Sequence, residues 1–389
     1  MGLLTTAGIW ALFVATTLWF PARRGPLGFA VYVVTVACNE IPLVLLAVFA
    51  GSIVAIGVSG EGFEGGAATA ALVLAILVSL GMVWLQIRAR TVRPAMETAL
   101  AAGLGAAWRS SIRPELLAAL TPSEPWLRGI LLPFQRHWRT VERERSVPYG
   151  PGGRAHFLDT YRRRDREAAG PVMIHLHAGG FVQGNKSRES VALLNQLADH
   201  GWFCVSANYR LRSQGGFPAS LVDTKRVIAW VRAYASEHHV DDAQIFLMGN
   251  SAGGHLAVSA ALTAGDPQYQ PGFEQADTSV AGVVAIYSYL GPRGSDPASA
   301  PVNLARPDAP PILIMHGAKD TAIPPAGPRS VSASLRSAST SPVVYAELTD
   351  TQHGFDLFAS VRARIASNFA EEFLAWVRSR GPRERSTLT

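Results

Sequence analysis

Phe246-Leu247-Met248-Gly249-Asn250-Ser251-Ala252-Gly253-Gly254-His255-Leu256-Ala257 is the stretch from which the rest of the chain can be read. An apolar run ends at Gly249, a serine follows two residues later, and a small-residue pattern suited to a helix begins at once. Gly249-Asn250-Ser251-Ala252-Gly253 fits G-x-S-x-G, a strand–turn–helix in which the serine stands on a strained turn above a sheet. The flanking glycines keep Cβ atoms out of a crowded backbone. The helix N-terminus beneath the hydroxyl presents N–H groups that favour negative charge. Short Gly/Ser patterns arise by chance, so the motif matters only if the chain also supplies a sheet, a base and an acid.

The sheet is legible on both sides of the motif. From Arg139 onward, short apolar runs rich in β-branched residues alternate with helical patterns, which predicts βα units and a parallel sheet. The expected strands are 155–161, 172–176, 203–208, 245–248, 283–288, 312–316 and 343–348. The expected helices are 188–200, 218–238, 252–264, 326–337 and 361–380. The runs at Val172, Phe203, Ile245, Val283 and Ile312 are continuously apolar, as strands covered on both faces should be.

A serine hydroxyl is a poor nucleophile near neutral pH; it needs a base, and the base an orienting carboxylate. In such a sheet these follow in the order Ser, Asp or Glu, His, on loops after later strands. The run 312–316 leads through Gly317-Ala318-Lys319 to Asp320, and the run 343–348 leads to His353-Gly354-Phe355. Asp320 is therefore the expected orienter and His353 the expected base. Asp350 and Asp356 are rival acids, but they lie too close in sequence to His353 to reach its far nitrogen easily. His316 is a rival base at a strand end, where a structural role is expected. Donors for an oxyanion are expected from Gly179 and Gly180, in His175-Leu176-His177-Ala178-Gly179-Gly180-Phe181, and from the N–H of Ala252. His177 is expected to brace that loop.

The first ninety residues have a different character. The chain has 389 residues, 48% hydrophobic and only 16% charged, and the deficit in charge is concentrated at this end. Three apolar stretches, 3–20, 29–57 and 67–87, are each of about bilayer-spanning length. The first lacks a basic start and a clear cleavage site, so a signal peptide is not the expected reading. Pro21–Pro26 and the acidic turn 61–66 separate the three. Arg23 and Arg24 follow the first, and Arg88, Arg90 and Arg93 follow the third, while the turn between the second and third holds no basic residue. The positive-inside rule then puts the N-terminus outside and the C-terminal region in the cytoplasm. Glu40 lies within the second stretch. It is either a functional membrane carboxylate or, since Pro42 is close, a sign that the span begins near Ile41.

The net charge of +6 comes from arginines that are scattered or beside apolar spans, with no aromatic-interleaved stripe, so it indicates membrane-side charge and excludes nucleic acid as the expected partner. Cys38 and Cys204 fall in a span and a strand, so no mutual disulfide is expected. Between the spans and the sheet, 93–138 is helical in composition with several prolines. Its cluster of Trp126, Leu127, Ile130, Leu131, Leu132, Phe134 and Trp138 could lie on a membrane, cover a site, or pack on the next domain.

These residues carry a resemblance. From about Arg139 to Arg380 the chain resembles an α/β-hydrolase of the hormone-sensitive-lipase-like esterase and lipase group. The shared features are His177-Ala178-Gly179-Gly180, Asn208-Tyr209-Arg210-Leu211, Phe217-Pro218, Asp223, the Ser251 motif and His353-Gly354-Phe355. The resemblance implies carboxylester hydrolysis with no metal and no organic cofactor. The chain departs from the group in three places. HGGG reads His-Ala-Gly-Gly. The acid loop Gly317–Pro324 also resembles peptidase and arylformamidase branches. The interval from Tyr289 to Pro310 leaves little room for a cap.

The expected architecture is thus a mostly parallel, doubly wound α/β-hydrolase domain (139–380) preceded by about three transmembrane helices (1–92) and a helical linker or cap (93–138), with a polar tail (381–389). The expected function is a membrane-anchored serine esterase or lipase acting on a small-molecule or lipid ester. A peptidase or amidase on the same triad is the rival within enzymes, and a catalytically silent hydrolase-fold binding module the rival outside them.

Overall fold

A computed structural model describes residues 2–19, 25–58, 65–120, 125–165, 170–237 and 239–381. The Arg23–Arg24 cluster, most of the acidic turn and the tail beyond residue 381 lie outside these.

The chain begins with four apolar helices, α1 (Leu3–Trp19), α2 (Gly25–Glu40), α3 (Pro42–Val58) and α4 (Gly65–Arg88). A single 3-10 turn joins α4 to α5 (Val92–Leu104), and together they form one rod, Gly65–Leu104, with a mean hydropathy of 2.4 in its most apolar window. Among the described residues this is the one helix long and apolar enough to cross a membrane, or one of two if α2 and α3 are taken as a single broken span. The stretch expected as the second span is in fact two helices meeting at 98° at Ile41. Pro42 is the cause: it has no N–H to donate and disfavours helical backbone at the residue before it.

Glu40, at that corner, turns away from the helices. It accepts a hydrogen bond from Ser360 (2.6 Å) and forms an ion pair with Arg362, both side chains being fully buried. Breaking a buried pair by removing one partner costs about 3–5 kcal/mol. Glu40 therefore clamps the helices to the domain that follows.

Two short helices, α6 (Pro114–Ala119) and α7 (Pro125–Leu131), lead into the sheet. Its strands are β1 (Val141–Pro148), β2 (Phe157–Arg163), β3 (Gly170–Leu176), β4 (Phe203–Ala207), β5 (Val240–Asn250), β6 (Gly282–Ile286), β7 (Ile312–Gly317) and β8 (Val343–Leu348). The spatial order is β1-β2-β4-β3-β5-β6-β7-β8; β2 runs antiparallel to both its neighbours, β1 and β4, and the remaining pairs are parallel. The interleaved helices are α8 (Val191–Asp199), α9 (Ala219–Ala233), α10 (Ala252–Leu262), α11 (Ala326–Ala338) and α12 (Val361–Arg378).

All seven residues of β3 are buried, and their side chains alternate between two cores. Met173 joins α5, α8 and α12 on one face; Val172, Ile174 and Leu176 join α9, α10 and α11 on the other. Period-two alternation between covered faces is why these strands are apolar throughout, and each fully buried large side chain contributes about 1.5–3 kcal/mol. The segment 93–138 packs on the first of these faces: α5 lies against β8, and α7 against α12, where Gly129 abuts the Val361 backbone. Strand β1 is absent from the expected set. Its core, Glu142-Arg143-Glu144-Arg145, is charged because it is the exposed edge of the sheet.

Candidate active site

Strand β5 ends at Asn250 and α10 begins at Ala252, leaving Ser251 alone on the turn with φ +52° and ψ −112°. A non-glycine residue there is strained, and the surroundings hold it in place. Ser251 N–H donates to Ile286 O (2.9 Å), and Ser251 O accepts from Tyr289 and His255 (both 3.2 Å). Gly253 is required because the first turn of α10 presses on the end of β3; a Cβ there would stand 2.0 Å from Leu176 O. Ala252 N–H belongs to the first turn of α10 and so has no partner within the helix.

The loops after β7 and β8 bring the acid and base together. His353 Nδ1 donates to Asp320 Oδ2 at 2.7 Å, and Asp320 Oδ1 accepts from the N–H groups of Ala322 (2.9 Å) and Ile323 (2.7 Å). Bonded this way, the imidazole exposes Nε2 as an acceptor. The rivals hold partners of their own, although His316 Nε2 also lies 3.4 Å from Asp320 Oδ2. Asp350 pairs with Arg88 and Lys319. Burial pushes its carboxyl up, but hydrogen bonds from those two residues outweigh this and leave it below the ordinary value. His316 is fully buried and donates through Nε2 to Ile323 O (2.8 Å).

Asp356, the other rival, belongs to a network beneath the serine. It accepts from the Ser190 hydroxyl (2.6 Å), from Asn250 Nδ2 (2.8 Å) and from the Tyr287 hydroxyl. Asn250 Oδ1 also accepts from His175 (2.8 Å), whose burial lowers its pKa to about 4 and keeps it neutral. Tyr287 in turn packs against the His353 ring with centroids 4.6 Å apart. The end of β6 thus stands between the serine turn and the imidazole and contacts both.

Gly179 and Gly180 occupy the turn after β3 with φ +138° and +60°. At Gly179 a Cβ would clash with Gln183 O at 1.7 Å, so only glycine fits this turn. His177 braces the turn: its ring stacks on Tyr209 at 4.4 Å, and its carbonyl accepts from the Tyr209 hydroxyl (2.7 Å). Burial lowers the His177 pKa to about 3, so it carries no charge.

Two residues at the site escaped the sequence reading. Gln352 ties the Asp320 and His353 loops together: Oε1 accepts from Thr321 N–H (2.7 Å) and His353 N–H (2.9 Å), while Nε2 donates to Thr35 of α2 (3.1 Å). Glu189, before α8, is 1% exposed, and burial raises its pKa to about 7 despite the adjacent Arg188. The order Ser, Asp, His has a spacing that can be sought; a glutamine that joins three segments has none.

A serine on a strained turn, a carboxylate-held imidazole and a glycine turn at the carboxyl ends of a parallel sheet define an α/β-hydrolase. The BD-FAE family model matches residues 158–293. The chain is 38% identical over 271 residues to the probable carboxylic ester hydrolase LipM of Mycobacterium tuberculosis (strain ATCC 25618 / H37Rv), covering 62% of this chain and 63% of LipM, under two thirds of its length. It is 36% identical over 301 residues to esterase LipC of the same strain, covering 69% of this chain and 73% of LipC. The chain belongs to this esterase family of α/β-hydrolases. A truncated carbohydrate esterase from gut microbiota shares the fold, with a TM-score of 0.53 at 20% identity over 60% of this chain and 96% of that one.

Proposed function

We propose that the protein is a membrane-anchored serine hydrolase that cleaves carboxylic esters. The observation that carries this reading is the 2.7 Å hydrogen bond from His353 to Asp320, at the same end of the sheet as a serine with positive φ. His353 Nε2 takes the Ser251 proton as Oγ bonds to the acyl carbon. The N–H groups of Gly179, Gly180 and Ala252 hold the resulting oxyanion. Collapse breaks the bond to the alcohol oxygen, which leaves with the proton from His353. Water, deprotonated by His353, then attacks the acyl-enzyme, and the acid departs as Ser251 recovers its proton. Asp320 holds the imidazole tautomer and stabilises its charged form. The similarity to the probable carboxylic ester hydrolase LipM and the esterase LipC supports an ester as substrate. The expected result is that a fluorophosphonate probe labels Ser251 and that matched esters are turned over in preference to amides. Preference for the amides would replace the esterase reading with an amidase or peptidase, and absence of labelling would remove the serine mechanism altogether.

On this reading residues 1–92 form the membrane region, 93–138 a linker and 139–380 the catalytic domain. Crossings at α1, α3 and α4, with α2 lying on the catalytic domain at the bilayer interface, make three. The ends of these helices support it. Leu18 O near the end of α1 accepts from Lys319 (3.3 Å), Asn39 O at the α2–α3 corner accepts from Arg362 (3.2 Å), and Arg88 at the end of α4 donates to Asp350 (3.0 Å). The lateral faces of the helices are apolar and exposed, as at Leu12, Val54, Leu72 and Leu80. The arginines after α4 support a cytoplasmic catalytic domain. An alkaline phosphatase fused after Arg380 should be silent; strong phosphatase activity would reverse the orientation.

A further inference from the structure

Helix α2 reaches the site directly, through Tyr32 at the His353 ring and Thr35 at Gln352. Residues three or four apart share a helix face, and one face of α2 carries Phe29, Tyr32, Thr35 and Asn39. That face lies along the His353 loop. Thr35 bonds Gln352, and at the end of the helix Glu40 bonds Ser360 and pairs with Arg362. Between these anchors and the free end of the helix, the Tyr32 ring lies 6.4 Å from the His353 ring, centroid to centroid. Its hydroxyl occupies space that only a glycine at position 354 leaves open, since a Cβ there would come within 2.9 Å. One turn earlier, the Phe29 ring lies 6.0 Å from Tyr32 and is 68% exposed. Leu27 and Val33 of the same helix are exposed as well. Two rings therefore lead from the imidazole to exposed apolar side chains of α2.

We propose that this face of α2 is the subsite for the hydrocarbon arm of a bilayer lipid ester, with Phe29 and Tyr32 determining chain-length specificity. The inference rests on the ester-hydrolase reading and names its substrate class. Three observations favour a lipid over a polar ester. The path is lined by rings and aliphatic side chains. Its outer end emerges on the helical region that carries the bilayer-length rod. The Thr35 hydroxyl and the Asn39 backbone carbonyl of α2 are already engaged by Gln352 and Arg362. Each methylene taken out of water strengthens binding roughly fourfold, so even partial loss of the path is readable.

The test uses the full chain in phosphatidylcholine vesicles and two substrate pairs, p-nitrophenyl laurate against acetate and dodecyl acetate against ethyl acetate. Phe29→Ala and Tyr32→Ala should lower the long-to-short ratio of kcat/KM by about tenfold or more in at least one pair, and Phe29→Leu should retain most of it. Phe29 is largely exposed, so its replacement leaves the packed interior untouched. Ratios within about twofold of wild type in both pairs, including the case where long and short esters fall together, would overturn the proposal. A wild-type chain that cleaves none of the four esters would instead sink the hydrolase reading on which it stands.

Discussion

Ser251→Ala is expected to lower ester turnover by several orders of magnitude, on the order of 10⁴ to 10⁶ in kcat, while the fold survives. The size of the loss follows from the chemistry. Without Oγ no acyl-enzyme can form, and the carboxylate-held imidazole has no proton to take. What remains is the stabilisation of charge by the glycine turn and the start of α10. The fold should tolerate the change because the strain at φ +52° is held by backbone bonds to Ile286, Tyr289 and His255, none of which needs the hydroxyl. Alanine pays the same φ penalty as serine. The check is kcat on the substrate preferred by the wild type, with a thermal melt beside it. Retention of more than about a tenth of the activity by a folded variant would mean that Ser251 is not the nucleophile.

Asp320→Asn carries the second large effect, a loss of about 10⁴ in kcat. The amide fits the same space, but it can donate where the carboxylate only accepted. The His353 ring then takes the wrong tautomer and presents a protonated Nε2 to the serine. The comparison that gives this force is Asp350→Asn. Asp350 is three residues from His353 and pairs with Arg88 and Lys319, so its loss weakens a half-buried contact at the foot of α4. Its effect on kcat should be smaller by at least about a hundredfold. Rates of the two variants measured side by side decide it. If Asp350→Asn is the more damaging, the acid has been misassigned, and the foot of α4 is more than an anchor.

The charges around the site show where a reading by residue type stops. Glu40 is a carboxylate in an apolar stretch and invites a transport or proton-relay role; its partners Ser360 and Arg362 are more than three hundred residues away and make it a clamp. Arg88, Arg90 and Arg93 satisfy the positive-inside rule by position alone, yet each is also engaged in the fold, with Asp350, the Trp126 ring and the Phe369 ring respectively. One residue can serve both a topological and a packing role, and only the second needs a partner that the sequence does not name. The charged strand β1 was missed for a related reason. Period and apolarity find strands that are buried on both faces, and an edge strand has one rim and much of its surface in water.

The sequence by itself determined seven of the eight strands, the helices between them and the order of the serine, aspartate and histidine. Each of these is written in local pattern: a run of buried side chains, a helical period, or a motif whose spacing follows from the turn it must make. Tertiary structure alone decided that Gln352 joins the Asp320 and His353 loops to α2, that Asp356 serves Asn250 and Tyr287 instead of His353, and that the helix before Ile41 lays Tyr32 beside the imidazole. These are contacts between segments far apart in the chain. Their energy comes from closing buried hydrogen bonds and packing rings across an interface, and no period or spacing within either segment records the other.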